Sequence, residues 1–325
     1  MRTPRIKVSP QEGAALYHCI SRTVNGEHLF ADADREQFRL QMWRVAEFCG
    51  VEIITYAVLS NHFHMLVRVP EQVTVSDAEL LRRYKILHPQ PNKYQTAKLE
   101  ALAQKLAADG DADATRWRRQ QLALMGDVSQ FMKLLKQRFT VWFNRRYERY
   151  GTIWSERFKS VLVETGRAAR VTAAYIDLNP VRAGLAKDPK DYRYCGYAEA
   201  VAGGAKLRAA LTVLFEQREW RTAHDGYRQI LFGAGYRKKN NAASLSAERV
   251  SRVIASGGAL SAAEWLRCRW KWLTNGAVLG SKEFVSLHAQ RYRRLARLRR
   301  DQRPRALPAA ADGDGAGLAV LRGCR

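Results

Sequence analysis

The sequence predicts an α+β fold whose core is ferredoxin-like, with one antiparallel sheet and helices packed on it. Short β-branched and aromatic runs alternate with longer segments of helical periodicity, in the order strand, helix, strand, strand, helix, strand. That order is the βαββαβ arrangement of the ferredoxin-like fold. Only Ser60 and Asn61 separate the second strand from the third, which predicts an antiparallel hairpin.

The first half of the core runs from a strand to this hairpin. ALYHCISRT (residues 15–23) is rich in β-branched and aromatic residues and predicts the first strand. VEIITYAVLS (residues 51–60) predicts the second, and SNHFHMLVRVP (residues 60–70) contains the third, which Pro70 ends. Between them, residues 32–49 have helical spacing of their apolar positions, at Phe38, Met42, Val45 and Phe48.

The second half of the core contains a long helix, a strand and a last helix. The helix is predicted from Ser129 to Arg149, because its apolar residues form one stripe: Phe131, Leu134, Leu135, Phe139, Trp142 and Phe143. SVLVE (residues 160–164) predicts the fourth strand. RAARVTAAYIDL (residues 167–178) predicts the last helix, which ends at Asn179-Pro180.

Composition along the chain divides it into three parts. Residues 1–195 form the core domain, in which the polar, charged segment 71–127 is predicted to be a helical insertion. After residue 195 strand patterns are lost, so residues 196–290 are predicted to form a small helical C-terminal domain. Residues 291–325 contain eight arginines between Arg291 and Arg305 and then an Ala/Gly-rich stretch, which predicts a basic, disordered tail.

The overall charge points to a polyanionic partner. The chain has 55 Lys and Arg against 31 Asp and Glu, a formal net charge of +24. Nucleic acid is the polyanion that a soluble protein of this charge most often binds, although a ribosome-like or simply well-solvated basic protein would have the same balance. No apolar run approaches the ~20 residues of a membrane helix. Neither a C-x-x-C pair nor a signal peptide is present, so we expect a cytoplasmic protein with no membrane partner.

His62 and His64 are the first candidates for chemistry. Residues two apart on a strand project from the same face, so the two imidazoles would lie side by side. Such a pair can bind one divalent cation and leave further coordination positions to another side chain, water or substrate. Packing of two histidines in a core is the equally weighted alternative at this point.

A second candidate, Tyr175, lies on the last core helix. Ala173 and Ala174 precede it, and their small side chains would let a bulky substrate approach. Asn179 follows four residues later on the same helical face, and its carbonyl oxygen suits a hard cation. Because a residue before proline is pushed out of helical geometry, Asn179 could already lie past the helix end. By its surroundings alone, Tyr175 would be an ordinary core or interface tyrosine.

Three separated motifs carry a resemblance to a known family. They are the HFH strand after an LSN lead, the segment GTIWSERFKS, and the helix end YIDLNPVRAG. Together they resemble the HUH single-tyrosine transposases of the insertion-sequence-200-like family, and most closely the REP-associated tyrosine transposases. The resemblance extends roughly from Tyr17 to Tyr197 and is weakest over residues 71–127. It also implies a ferredoxin-like core.

The resemblance implies a role for each candidate residue. His62 and His64 match the metal-binding histidines, Tyr175 matches the nucleophile, and Asn179 matches a third polar ligand. It further implies an Mg²⁺ or Mn²⁺ ion and a transesterification that cleaves and rejoins single-stranded or hairpin DNA through a 5′-phosphotyrosine. Neither a monomer nor a homodimer is excluded by the sequence.

DNA binding is predicted from basic residues interleaved with aromatic ones, which can neutralise phosphates and stack on bases. The predicted contacts are Arg22, Arg145, Arg146, Arg149, Trp154, Arg157 and Lys159. In the alternative interpretation Trp154 is a core residue and the arginines are merely solvated. Two other functions remain: a non-catalytic nucleic-acid-binding regulator on the same fold, and a replication or conjugation initiator, although the chain has no P-loop.

Overall fold

The structure is a computed structural model of the 325-residue chain. It describes residues 5–71, 74–108, 110–232, 273–274, 276–296, 305–306 and 318–322.

The core has the predicted order of elements. They are β1 (Ala15–Arg22), α1 (Asp32–Cys49), β2 (Glu52–Val58), β3 (His62–Val69), α5 (Val128–Arg146), β4 (Lys159–Val163) and α6 (Arg167–Asp177). The four strands lie in the order β2-β3-β1-β4, and each neighbouring pair is antiparallel. This is the ferredoxin-like arrangement, so the predicted fold class is confirmed.

The two faces of the sheet are covered by different helices. Phe63 packs on Phe38 of α1, with the ring centroids 4.7 Å apart, so α1 lies on that face. His64, the next residue of β3, faces Tyr175 of α6. Because neighbouring strand residues point to opposite faces, α6 covers the face of the sheet that carries the histidines.

Residues 71–127, predicted as a helical insertion, contain three helices. They are α2 (Asp77–Leu87), α3 (Lys93–Ala107) and α4 (Ala112–Leu122). Helix α2 packs against α1, and α4 packs in turn against α2 and α3. The insertion therefore adds to the α1 side of the molecule, away from α6.

After the short helix α7, the region beyond residue 195 begins with three helices and then returns to the sheet. Asn179–Arg182 form α7, and Gly196–Val201, Ala205–Leu214 and Trp220–Phe232 form α8, α9 and α10. Helices α8 and α9 pack on β2, while α10 packs on α6. The predicted domain boundaries remain predictions.

Three strands in this region correct the expectation that it has none. Gly276–Ser281 form β5, which pairs in parallel with β4, and Leu318–Arg322 form β7, antiparallel to β5. Helix α11 (Lys282–Ala296) follows β5 directly, and β6 (Arg305–Ala306) pairs with β7. Both GAVLGS and LAVLR are short apolar runs without alternation, which sequence periodicity cannot separate from helix or loop. The backbone groups at the β4 edge require partners, and β5 supplies them.

The expectation of a wholly disordered tail is also corrected, since α11 continues to Ala296 and β7 lies within residues 291–325. In the described ranges no helix combines the length and the apolar character needed to cross a membrane. Three cysteines, Cys19, Cys49 and Cys195, are free and buried; Cys268 and Cys324 lie outside the described residues.

Candidate active site

The two predicted histidines lie side by side on β3. Their ring centroids are 5.3 Å apart and their planes are nearly perpendicular. His64 is 2 % exposed, whereas His62, at the strand end, is half-buried. The strand alternation that predicted a shared face is therefore what places them together.

A third histidine, His18, completes the group from the neighbouring strand. It is fully buried, its ring stacks on that of His64 at 5.1 Å, and its Nε2 lies 2.9 Å from Nδ1 of His64. In the β1–β3 ladder Ile20 pairs with His64, so His18 lies one diagonal position away on the same face. The sequence shows only a polar ring inside a strand at this position, and the strand register is what makes it part of the site.

Tyr175 faces this histidine group from α6. Its ring lies edge-on to His64 at 6.0 Å and to His18 at 6.1 Å between centroids. The side chain is 5 % exposed. The guanidinium carbon of Arg182 lies 4.0 Å from the centroid of the phenol ring, and Nη2 of Arg182 donates a hydrogen bond to the Tyr175 carbonyl at 2.6 Å. The structure thus brings the predicted nucleophile next to the predicted histidine ligands. In addition, the positively charged side chain of Arg182 lies beside the phenol ring.

Asn179 lies just past α6, as its position before Pro180 suggested. It is the first residue of α7 and is buried. Its Nδ2 donates to the carbonyls of Tyr175 at 3.3 Å and Ile176 at 3.2 Å. Because the amide nitrogen is used to close the end of α6, the oxygen is the atom of this side chain that remains for a cation.

Burial favours the neutral form of His18 and His64. Desolvation lowers the pKa of His64 well below its usual value, and the neighbouring His18 and His62 lower it further. Desolvation also lowers the pKa of His18 to about 4. Neutral imidazole is the form that binds metal ions, so the state of these rings suits a ligand role.

The residue types of this donor set suit an open site for a divalent cation. His62 and His64 offer imidazole nitrogens and Asn179 an amide oxygen, which leaves open positions for a phosphate. Nδ1 of His62 lies 2.6 Å from Oδ1 of Asn61, which places the proton of the ring on Nδ1. Across the described parts of the chain, no three or more His, Cys, Asp and Glu side chains are grouped so as to hold a metal ion. The site therefore depends on an amide in place of a third charged or imidazole ligand.

The predicted DNA contacts divide into exposed cations and one buried aromatic ring. Arg22, Arg145, Arg146, Arg157 and Lys159 are exposed and Arg149 is half-buried. Lys159 pairs with Glu156 at 3.1 Å, and Nε of Arg146 lies 4.0 Å from the Asp34 carboxylate. The remaining arginines are at the surface and suited to phosphate contacts.

Trp154 corrects the expectation that it stacks on bases. It is 6 % exposed, its ring packs on Phe63 at 5.6 Å, and its indole N–H donates to Thr140 at 2.9 Å. A bridge between Thr23 and Trp154 extends the pairing of β1 with the chain that leads into β4, and the indole lies in the core. The exposed aromatic residues between Arg145 and Lys159 are Tyr147, 41 % exposed, and Tyr150, 97 % exposed, neither of which the interleaved pattern singled out.

Residues 153–155, which lie among the predicted DNA contacts, are next to the end of β3 that carries His62. Ser155 N donates to the Arg22 carbonyl at 3.0 Å, and Val24 N donates to that of Ile153 at 3.0 Å. In the ladder Arg22 pairs directly with His62. A strand of nucleic acid bound along these residues would therefore lead to His62.

Comparison with known proteins identifies a similar family for the first part of the chain. Residues 13–87 match the model of the family described as "Transposase IS200 like". This stretch contains β1, α1, β2, β3 and α2, and thus His18, His62 and His64, and it agrees with the resemblance carried by the HFH motif. Tyr175 and Asn179 lie beyond it.

A solved REP-associated tyrosine transposase bound to a REP hairpin is similar at 18 % identity and a TM-score of 0.36, over 63 % of this chain and 87 % of that one. No curated protein matches the chain.

Proposed function

We propose that the protein is a single-tyrosine DNA transposase that cleaves and rejoins single-stranded or hairpin DNA. The observation that carries this proposal is the position of the Tyr175 ring, 6.0 Å from that of His64, on the histidine face of the sheet. The match of residues 13–87 to the IS200-like transposases supports it. The formal net charge of +24 supports a nucleic acid as the substrate.

In the cleavage step, the Tyr175 hydroxyl oxygen attacks a backbone phosphorus in line with the leaving 3′-oxygen. The phenol gives up its proton, the P–O3′ bond breaks, the 3′-oxygen takes up a proton, and a 5′-phosphotyrosine forms. An Mg²⁺ or Mn²⁺ ion held by His62, His64 and Asn179 would draw charge from the phosphate. The Arg182 guanidinium, 4.0 Å from the phenol ring, adds positive charge where negative charge develops.

Rejoining is the reverse step. A 3′-hydroxyl attacks the phosphotyrosine, the new P–O3′ bond forms, and the Tyr175 oxygen leaves and regains its proton. Because one phosphoester is exchanged for another, ATP is not required.

The approach of the DNA follows from exposure and charge. His62 is half-buried while His64 and Tyr175 are buried, so a phosphate would enter from the His62 side. Arg22 lies beside His62 in the ladder and would contact the backbone there. Base stacking makes the backbone of a duplex stiff. A single strand or the base of a hairpin can therefore bring a phosphate into a narrow entry more easily.

The experiment compares the wild type with Tyr175→Phe on single-stranded palindromic DNA in the presence of Mn²⁺ or Mg²⁺. We expect a covalent protein–DNA adduct on a denaturing gel for the wild type, none for Tyr175→Phe, and none for either protein after chelation. Tyr94→Phe is the control, because Tyr94 is exposed on α3, a helix of the insertion that packs on α2 and α4; it should form the adduct at the wild-type yield.

Two outcomes would contradict the proposal. An adduct of equal yield from Tyr175→Phe would assign the nucleophile to another residue. If the wild type binds hairpin DNA but forms no adduct with either metal ion, the non-catalytic regulator would be the better description.

A further inference from the structure

A chain of buried hydrogen bonds connects the C-terminal part of the molecule to the histidine group. The carbonyl oxygen of Leu273 lies 2.9 Å from Nδ1 of His18, and Nε2 of His18 lies 2.9 Å from Nδ1 of His64. Both rings are buried, at 0 % and 2 % exposure. Leu273 is itself buried and is 255 residues from His18 in sequence.

The positions of the protons along this chain follow from the chemistry of its ends. A backbone carbonyl oxygen only accepts, so Nδ1 of His18 must carry a proton. A second proton on this fully buried ring would create a charge away from water, which is unfavourable unless an anion pairs with it. Nε2 of His18 is therefore an acceptor, and Nδ1 of His64 must be the donor to it. The lone pair of His64 is left on Nε2.

His62 reaches the same arrangement by an independent route. Nδ2 of Asn61 donates to the Gly26 carbonyl at 3.0 Å, which orients the amide so that Oδ1 faces the His62 ring. Oδ1 then accepts from Nδ1 of His62 at 2.6 Å. Both histidines of β3 thus carry their proton on Nδ1. Two unrelated hydrogen-bond partners thus select the same tautomer in His62 and His64. Packing of the rings alone would not require this agreement.

We propose that His18 is a positioning residue that, with the Leu273 carbonyl, holds His64 in the Nδ1–H tautomer and keeps its Nε2 lone pair available to a divalent cation. This rests on the proposed function for the class of cation. The arrangement of protons, however, can be measured without metal or DNA. Residues beyond the core therefore have a part in the site, because Leu273, at the end of this chain of hydrogen bonds, lies directly before β5.

The first test is long-range ¹H–¹⁵N NMR of the histidine rings in the metal-free wild-type protein at neutral pH. The chain has seven histidines, so each ring can be assigned by single His→Gln variants. We expect His18, His62 and His64 to show the pattern of the neutral Nδ1–H tautomer. An Nε2–H pattern for His64 would overturn the proposal.

The second test measures Mn²⁺ affinity by electron paramagnetic resonance for two substitutions of His18. Phe fills the space of the ring without an acceptor, and we expect His18→Phe to bind Mn²⁺ about 10- to 100-fold more weakly. Gln has an oxygen that can accept from His64 and an amide N–H that can donate to Leu273, so His18→Gln should recover most of the affinity. His88→Phe is the control, because this half-buried ring packs on Tyr84 and not on the site; its affinity should be that of the wild type.

The outcomes separate this proposal from the proposed function. Wild-type affinity in a folded His18→Phe variant would overturn the role of His18. If His18→Phe does not fold, the NMR pattern of the wild type decides by itself. If the tautomers and the Mn²⁺ affinities are as expected but the wild type forms no DNA adduct, the role of His18 stands and the transposase function fails.

Discussion

Tyr175 and Asp177 lie two residues apart on α6, point to different sides of the helix, and have opposite environments. Tyr175 faces the histidine group, and its hydroxyl forms no hydrogen bond with any part of the chain that the structure describes. Asp177 is fully buried, and four groups donate to its carboxyl group: Thr55 Oγ1, Cys195 Sγ, Tyr197 N and the Tyr227 hydroxyl.

This difference assigns separate tasks to the two sides of one helix. The Asp177 side ties α6 to β2, to α8 and to α10, because its four donors come from those elements and from the residue that precedes α8. The Tyr175 side keeps, next to buried imidazoles, a hydroxyl that has no hydrogen-bond partner among the described residues. A helix held rigidly on one side can present a reactive group accurately on the other. The predictions below test this division.

The largest expected effect is on stability, from Asp177→Ala. The substitution leaves four buried donors without an acceptor, and each unsatisfied group costs about 1–3 kcal/mol, so the free energy of unfolding should fall by at least about 3 kcal/mol. Urea unfolding measures this. Asp191→Ala, at an exposed carboxylate, is the control and should change the value by less than about 0.5 kcal/mol. An Asp177→Ala variant as stable as the wild type would remove the structural task from this side of the helix.

The pH dependence of stability sharpens the same point. Desolvation raises the pKa of Asp177 to about 6, although its hydrogen-bond donors act in the opposite direction. The native state therefore holds this proton more tightly than the unfolded state, and its contribution to stability is lost as pH rises from about 4 to about 6.

Asp177→Asn imitates the protonated carboxyl group and does not titrate, so it is the matched reference. We expect the free energy of unfolding of the wild type, minus that of Asp177→Asn, to fall by about 1.4 kcal/mol per pH unit within this window and to stay constant above it. Urea unfolding of both proteins at several pH values measures the difference. A difference that rises with pH would mean that the buried group is stabilised as the anion.

On the other side of α6, Tyr175→Phe should separate activity from stability. The ring keeps its contacts with His64 and Arg182, and the lost hydroxyl breaks no hydrogen bond among the described residues, so the free energy of unfolding should change by less than about 1 kcal/mol. Tyr227→Phe is the matched comparison, because the Tyr227 hydroxyl donates to Asp177; it should be destabilising by about 1–3 kcal/mol. Equal losses in the two variants would show that both sides of the helix are structural.

The smallest effect is expected for Arg22→Gln. Arg22 is exposed beside His62, so its removal should leave stability unchanged and weaken the binding of single-stranded DNA. The slope of log affinity against log salt concentration should fall by about 0.7, the loss of one phosphate contact. Arg68→Gln is the control: Arg68 lies at the opposite end of β3, paired with Glu52. The same reduction in both variants would indicate a general effect of charge and not a path to the site.

Several features of the site could be predicted because they depend on local periodicity. Alternation along β3 places His62 and His64 on one face, and the helical repeat turns Tyr175 and Asp177 to different sides of α6. The order of strands and helices predicts the sheet, and Pro180 marks the end of the helix. These features need only the geometry of one element at a time.

Other features depend on contacts between distant segments. Trp154 has the sequence context of a surface aromatic, but its pairing with Thr23 turns it inward. β5 and β7 are too short and too uniformly apolar to be identified before an open sheet edge is available to them. Asp177 looks like a solvent-exposed helical carboxylate until its donors, from four other positions in the chain, are seen around it.

By itself the sequence determined the α+β core, the paired imidazoles, the placement of a phenol on the last core helix and the basic character of the surface, because each follows from residue type and periodicity. The tertiary structure alone decided that His18 joins the pair, that His18 is hydrogen-bonded to the Leu273 carbonyl, and that the phenol faces the histidines. The physical reason is that strand register and helix packing are set by the sum of many long-range contacts, and no local pattern carries that sum.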